Sequence, residues 1–224
     1  MTEIQLAKTH HKFERIDSIA GRQYLVDGKY QFPSVTTILQ NYGDKTALEQ
    51  WKQRLGEKEA ALQTKRATNR GTALHKTVEN YINGNLDLSE LRRSNPILYS
   101  HFTSIKPHVD EIQIVRGVEI PAFSPDLKVA GTLDLAGVIY DNESVIDFKT
   151  SSKPKLEEWI LNYFLQETIY TIMLEHTYGI KAKQIVTIIA VDHDKPQVFV
   201  KNRDAYLKQA FDAIIQFQKG ATHA

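Results

Sequence analysis

Two apolar segments of the chain each contain an aspartate: Gly131-Thr132-Leu133-Asp134 and Val145-Ile146-Asp147-Phe148-Lys149-Thr150. Their composition predicts β-strands over 129–139 and 144–148, joined by a turn at 141–143. Residues two apart in a strand project from the same face, so Asp147 and Lys149 would point together while Phe148 enters the core with Ile146. If the two strands pair as a hairpin, Asp134 lies beside Asp147.

Two neighbouring carboxylates repel each other unless a cation lies between them. Magnesium suits such a position because it is a hard ion that prefers oxygen ligands and retains several waters. A water acidified by the metal can attack a phosphodiester, and Lys149 could orient that water. The alternative is a surface hairpin with an Asp–Lys ion pair, which is the commoner situation for an isolated Asp-x-Lys.

The remaining segments predict the fold class. Strand-like segments lie at 13–32, 112–115, 118–120, 185–191 and 198–200, with a hairpin turn at Asp27-Gly28. Helical segments lie at 35–39 behind a Ser34 cap, at 44–65, from Arg70-Gly71-Thr72 to Asn83-Gly84, at 89–107 with an interruption near Pro96, at 156–176 and at 204–218. This order predicts an α/β fold in which a central β-sheet is flanked by helices and preceded by a mostly helical extension.

The composition limits the classes of protein to which the chain can belong. Its 224 residues and net charge of +1 are typical of one soluble globular domain. The absence of cysteine excludes disulfides, thiolate nucleophiles, zinc–thiolate sites and iron–sulfur clusters. No segment approaches the roughly 18 apolar residues of a membrane span, and the N-terminus lacks a signal-peptide pattern. We therefore expect no membrane association and a cytoplasmic location.

Polar residues on the predicted helices supply further candidates. His75 and Glu79 share one helix face, and Gln166 and Tyr170 repeat that spacing on the helix after Lys149. Taken singly, each pair is better explained as structural. Cations also outnumber acids between 45 and 76, which indicates either a solvated helix surface or a local nucleic-acid-binding patch. These cations are Lys45, Lys52, Arg54, Lys58, Lys65, Arg66, Arg70 and Lys76.

In chain order, these features resemble the RecB-like branch of the PD-(D/E)XK nuclease superfamily, and are similar to the mitochondrial genome maintenance exonuclease and phage-type exonucleases. The matching residues are Gly71, His75, Glu119, Gly131, Asp134, Asp147, Lys149, Thr150, Gln166 and Tyr170. The segment Pro33-Ser34-Val35-Thr36-Thr37-Ile38-Leu39 is similar to the opening segment of the mitochondrial and phage-type members. The resemblance covers roughly residues 30 to 175.

The resemblance implies a restriction-endonuclease-like core with a central mixed β-sheet, in a single domain over 1–224. Within it, 1–110 would form the hairpin and helical extension with the His75 helix, and 111–224 the α/β catalytic core. The implied metal ligands are His75, Asp134, Asp147 and the main-chain carbonyl of Phe148. Lys149 would act on the attacking water, and Glu119 would reach a second metal through water or order the site. The implied substrate-contacting residues are Ser34, Thr37, Arg70, Thr150, Gln166 and Tyr170, of which the last two would alternatively steady the active-site helix.

Two departures from the superfamily pattern bear on the ligands. Leu133-Asp134 replaces the usual Pro-Asp, whereas a literal Pro125-Asp126 occurs earlier in the chain. We interpret Ser124-Pro125-Asp126 as a turn, and if that is wrong Asp126 replaces Asp134 as ligand. The cluster-binding cysteines of some relatives are missing, so no iron–sulfur cluster is expected.

The resemblance therefore predicts a DNA exonuclease that uses Mg²⁺, or Mn²⁺ in its place, on single-stranded DNA or DNA ends. Its context would be DNA repair or recombination, with replication or recombination proteins as partners, in the cytoplasm of a cell or of a phage host. The nearest alternative is an endonuclease with the same metal site. A catalytically silent nucleic-acid-binding subunit and an α/β protein with incidental acids are further alternatives.

Overall fold

The computed structural model describes residues 3–19, 21–40, 42–43 and 45–221, apart from the side chains of residues 47 and 221. The strands are β1 Glu3–Ile4, β2 Phe13–Ser18, β3 Gly21–Val26, β4 Tyr30–Pro33, β5 Ile112–Ser124, β6 Val129–Ile139, β7 Asn142–Ser151, β8 Gln184–Val191 and β9 Gln197–Asn202. The helices are α1 Val35–Leu39, α2 Thr46–Leu55, α3 Glu57–Ile82, α4 Leu88–Ser94, α5 Pro96–Asp110, α6 Leu161–Tyr178 and α7 Leu207–Ala221.

A mixed six-stranded sheet in the order β1-β5-β6-β7-β8-β9 forms the centre of the fold. β5, β6 and β7 form an antiparallel meander, while β1 runs parallel to β5 and β8 runs parallel to β7. The parallel pair β7–β8 requires a crossover, which α6 provides. The predicted α/β class with a central mixed sheet between helices is confirmed.

Helices cover both faces of this sheet because the strands alternate buried side chains between the two faces. On one face, α1, α6 and α7 pack against residues such as Leu133 and Val145. On the other face, α3 and α5 pack against Leu135, Ile146 and Phe148. As predicted, Ile146 and Phe148 are core residues.

A small sheet of β2, β3 and β4 lies before the helical region. Its β3–β4 hairpin turns at Asp27 and Gly28, which have φ values of 55° and 65°. Positive φ at both central residues is typical of a tight hairpin turn, so the predicted turn is confirmed. Ser34 then caps α1 by accepting a hydrogen bond from the Thr37 N–H at 3.0 Å, also as predicted.

The predicted helix boundaries at 44–65 and at Arg70-Gly71-Thr72 are wrong. The helices instead separate at Gly56, where a φ of 80° ends α2, and α3 then runs without a break through Gly71. Strong helix formers before Gly71 explain the continuity, since one glycine costs a helix only about 1 kcal/mol. Asp44, the predicted start, lies outside the described residues. Near residue 157 a short 3₁₀ turn precedes α6. The segments at 112–115 and 118–120 form one strand, β5, as predicted.

Among the described helices, none combines the length and apolar character needed to cross a bilayer.

Candidate metal and catalytic centre

The centre forms where β6 and β7 separate. Their antiparallel register pairs Leu135 with Ile146, so the next positions along the strands are Asp134 and Asp147. There the Phe148 N–H donates to Asp134 Oδ2 at 2.9 Å. A carboxylate thus replaces a main-chain acceptor at the point where the ladder ends. The hairpin pairing predicted for these two segments is confirmed.

Asp147 is almost fully enclosed and has two polar neighbours. Its side chain is 1 % exposed and forms an ion pair with the ammonium group of Lys149. Its Oδ1 accepts a hydrogen bond from Gln166 Nε2 at 2.7 Å, which connects β7 to α6. On the first turn of α6, the Tyr163 ring centroid lies 5.2 Å from Lys149 Nζ. The ammonium group is therefore held between the strand and the helix.

His75 reaches the same centre from the opposite face of the sheet. Its helix is anchored by Leu74 and Val78, which are buried against β7 and α5. The Nε2 atom of His75 donates to the Phe148 carbonyl across 2.6 Å. Its Nδ1 atom lies 3.4 Å from Asp134 Oδ1 and 3.5 Å from Glu119 Oε1. One imidazole therefore contacts both acids and the main chain of the Asp147 strand.

Glu119 owes its position to an unusual backbone conformation. It lies in β5 between two residues paired with Leu135 and Leu133, and is therefore opposite Asp134. Its φ is 50°, in the left-handed region that non-glycine residues rarely adopt. Such strain costs on the order of 1–3 kcal/mol and is found most often at functional sites. No residue pattern around Glu119 predicts this conformation.

The donor atoms of the centre lie close enough together to share one metal ion. One donor atom each from His75, Glu119 and Asp134 lies within 4.8 Å of the other two. Two carboxylates and one imidazole suit a divalent cation such as Mn²⁺ or Mg²⁺. These residues therefore fit the metal. Asp147, expected among the ligands, is engaged with Lys149 and Gln166, and Glu119 takes the place beside His75.

The charges of the cluster shift the protonation of its members. Burial lowers the pKa of His75, but the Asp134 and Glu119 carboxylates outweigh it and raise that pKa to about 9. Burial raises the pKa of Asp147 to about 6, against the lowering effect of Lys149. Burial also lowers the pKa of Lys149, yet the two aspartates outweigh it and the net shift is upward. Without a metal, the imidazolium of His75 is the cation between the two carboxylates.

Comparisons with known proteins give partial similarity. No protein-family model matches the chain. The human mitochondrial genome maintenance exonuclease 1 is 32 % identical over 130 residues, which cover 55 % of this chain and 38 % of that protein. The Xenopus tropicalis protein of the same name is 30 % identical over 160 residues, covering 68 % of this chain and 45 % of that protein. The chain thus spans less than half the length of the curated relatives it matches.

A solved structure from Eubacterium rectale, described as a candidate exonuclease, aligns with 67 % of this chain and 68 % of its own. Its sequence identity to this chain is 12 % and the TM-score is 0.42. The curated sequence relatives are named as exonucleases. Their similarity extends over 55 % to 68 % of this chain.

The remaining predicted residues have structural contacts that differ from one residue to the next. Tyr170 is buried against Gly131, where an added Cβ would lie 2.9 Å from its ring, so it steadies α6. Ser34 and Thr37 are buried and hydrogen-bonded to each other and to the main chain. The structure does not bring these two hydroxyls to the surface of the centre, and their substrate contact stays a prediction. Glu79 pairs with Lys76 and does not join His75.

The alternative ligand Asp126 is not part of the centre. It is exposed in the turn between β5 and β6, where the Lys128 N–H donates to the Pro125 carbonyl at 3.2 Å. The interpretation of Ser124-Pro125-Asp126 as a turn is therefore confirmed.

Sequence reasoning missed a buried acid next to the centre. Glu167 is fully buried on α6 and accepts a hydrogen bond from Thr187 Oγ1 at 2.5 Å. Burial raises the pKa of its carboxyl well above the usual range, and the nearby Asp147 adds to the shift. Thr187 is the β8 partner of Asp147 in the parallel register, so Glu167 supports the strand that carries the centre. Its place directly after Gln166 was the only signal in the sequence.

Proposed function

We propose that the chain is a metal-dependent DNA nuclease of the PD-(D/E)XK superfamily, in its RecB-like branch. The observation that carries the proposal is the convergence of three metal-binding side chains with an Asp–Lys pair at the ends of β6 and β7. The partial similarity to proteins named as exonucleases supports an exonuclease that acts on single-stranded DNA or DNA ends.

His75, through Nδ1, would hold Mg²⁺ or Mn²⁺ together with Glu119 and Asp134. The Phe148 carbonyl, expected as a ligand, accepts from Nε2 instead and orients the ring. When bound, the cation supplies an acidified water and neutralises charge on the phosphate. The Lys149 ammonium group, aligned by Asp147, would orient the attacking water and offset the charge that develops on the phosphorane. Gln166 fixes the other oxygen of Asp147 and so limits the movement of that ammonium group.

An exposed cationic helix leads towards this centre. Residues 61–69 of α3 are all exposed, and the helix then reaches the sheet and carries His75. The exposed cations on α2 and on this half of α3 are Lys52, Arg54, Lys58, Lys65 and Arg66. With a net charge of only +1 overall, this local excess would supply the salt-dependent attraction for a polyanionic strand.

The proposal is tested by incubating the protein with end-labelled single- and double-stranded DNA, linear and circular, with Mg²⁺, with Mn²⁺ or with a chelator. We expect metal-dependent release of short products from linear DNA, while circles resist. Cutting of circles at the rate of linear DNA would indicate an endonuclease. No hydrolysis of any DNA with either metal would refute the proposal.

A further inference from the structure

Arg70 is fixed beside the strand that carries Lys149. Its Nε donates to Thr150 Oγ1 at 3.3 Å, and its Nη1 donates to Asp192 Oδ2 at 2.8 Å. Thr150 directly follows Lys149 in β7, while Arg70 lies on α3 five positions before His75. Two separate contacts therefore hold one guanidinium group beside the residue that follows Lys149, on the helix that carries His75.

Asp192 is held from two other directions. Its Oδ1 lies 2.5 Å from Nε2 of His101, a residue of α5 whose side chain is 4 % exposed. Its main-chain N–H donates to the Ser151 carbonyl at the end of β7 at 2.9 Å. A carboxylate with both oxygens engaged has one orientation, so Asp192 determines where the guanidinium of Arg70 lies.

The Arg70 side chain is 26 % exposed despite these contacts. Within the part of the chain that the structure describes, its Nη2 forms no hydrogen bond to another residue. A planar guanidinium with free donors at a partly enclosed surface is suited to binding a phosphate. These two contacts distinguish Arg70 from Lys65 and Arg66, which lie on the fully exposed part of α3.

We propose that Asp192 is a positioning residue, supported by His101, that holds Arg70 so that its outer donors bind a backbone phosphate of the substrate strand. This inference rests on the proposed function, because the phosphate belongs to nucleic acid bound at the Lys149 centre. It predicts that Asp192 improves substrate binding although it carries a negative charge itself.

The direction of the change in substrate affinity on removal of Asp192 separates the proposal from a simpler role for this residue. If the carboxylate only neutralised Arg70, it would compete with the phosphate, and its removal would tighten binding. If it positions Arg70, its removal leaves the arginine side chain mobile. That side chain then loses conformational entropy when it binds a phosphate, so binding weakens.

The experiment compares Asp192→Asn, Arg70→Ala and the double variant, with a labelled single-stranded oligothymidine as substrate. Asp192→Asn should raise KM on the order of tenfold, with kcat within about twofold of wild type, because a phosphate contact acts on binding. In the double variant the two effects should not add, since Asp192 acts through Arg70. Asp194→Asn is the matched control, because Asp194 lies in the same turn and its carboxylate, among the described residues, accepts only from the adjacent Lys195 N–H. This variant should retain the wild-type KM.

Asp192→Glu provides a second variant if Asp192→Asn melts at a much lower temperature, because it keeps the charge and displaces the carboxylate by one methylene. It too should raise KM. An unchanged or lowered KM in a folded Asp192 variant, or full additivity with Arg70→Ala, would overturn the inference. If wild type cleaves DNA and Asp192→Asn retains its KM, only this inference fails. If wild type neither binds nor cleaves DNA, the proposed function fails as well.

Discussion

The imidazole of His75 lies 3.4 Å from the Asp134 carboxylate through Nδ1, while its Nε2 contacts the Phe148 carbonyl. This single ring connects α3 to both strands that carry the acids of the centre, β6 and β7. Because two carboxylates face Nδ1, the ring is protonated in the metal-free protein at neutral pH. The same atom is the donor proposed to bind the metal, so a proton and a divalent cation would compete for one position.

The stability of the metal-free protein should therefore decrease between pH 6.5 and pH 9. The pKa of His75 is raised from its ordinary 6.5 to about 9, so the folded state binds the proton more tightly than the unfolded state. This contribution is fully present below pH 6.5 and is lost as the pH rises through 9. It amounts to at most about 3 kcal/mol.

Urea unfolding in EDTA at several pH values measures this dependence. His75→Gln should flatten the curve in that window, since glutamine does not titrate. Asp147 does not contribute to this slope. Its pKa is raised from 3.8 to about 6, so its effect on the free energy of unfolding changes only below about pH 6. A wild-type curve already flat between 6.5 and 9 would contradict the assignment of the imidazolium.

The sequence was sufficient to predict the Asp147–Lys149 pair and its neighbour Asp134, because strand alternation and hairpin pairing are local rules. It could not predict that Glu119, rather than Asp147, joins Asp134 beside His75. That choice depends on the left-handed backbone at Glu119 and on the packing of α3 across the sheet, both of which are tertiary. The network of Arg70 and Asp192 was missed for the same reason, since its members come from distant parts of the chain.

Asp147→Asn should abolish cleavage while the protein remains folded. The amide oxygen can keep one of the two contacts that Gln166 and Lys149 now make with the carboxylate, and a buried neutral amide avoids the desolvation cost of an ionised group. Without the negative charge, the ammonium group loses its alignment, and we expect the rate to fall by on the order of 100-fold or more.

Single-turnover cleavage and a thermal melt of the Asp147→Asn variant test this together. The melting temperature should remain within about 3 °C of wild type, corresponding to roughly 1 kcal/mol. Wild-type cleavage by the folded variant would show that Asp147 has no part in the reaction.

Lys149→Ala should reduce kcat far more than it weakens DNA binding. The ammonium group is fixed over the centre by Asp147 and lies beside the Tyr163 ring, so it acts on one reacting phosphate, whereas many cations share the binding of the strand. Cleavage rates and fluorescence-anisotropy binding separate the two effects. Lys153→Ala, an exposed lysine four residues later, is the control and should retain the wild-type kcat. A large loss of affinity with unchanged kcat would mean that Lys149 only binds DNA.

The two glycines of the sequence motifs, Gly131 and Gly71, should respond oppositely to alanine. At Gly131 an added Cβ would lie 2.9 Å from Tyr170 Cε1, so the ring and α6 must move away from β6. Overpacking of this kind costs about 1–3 kcal/mol. At Gly71 an added Cβ meets no atom within 4 Å inside the long helix α3. There alanine should stabilise the protein by about 0.5–1 kcal/mol through its higher helix propensity.

Chemical denaturation of Gly131→Ala and Gly71→Ala gives both free energies of unfolding under one set of conditions. Tyr170→Leu added to Gly131→Ala should recover part of the lost stability, because the smaller side chain leaves room for the methyl group. Equal destabilisation by both single variants would indicate that Gly71 has a backbone requirement that its helical position does not explain. The cleavage rate of the stabilised Gly71→Ala variant is a further test. A loss of activity without a loss of stability would place the DNA backbone directly against α3 at this residue.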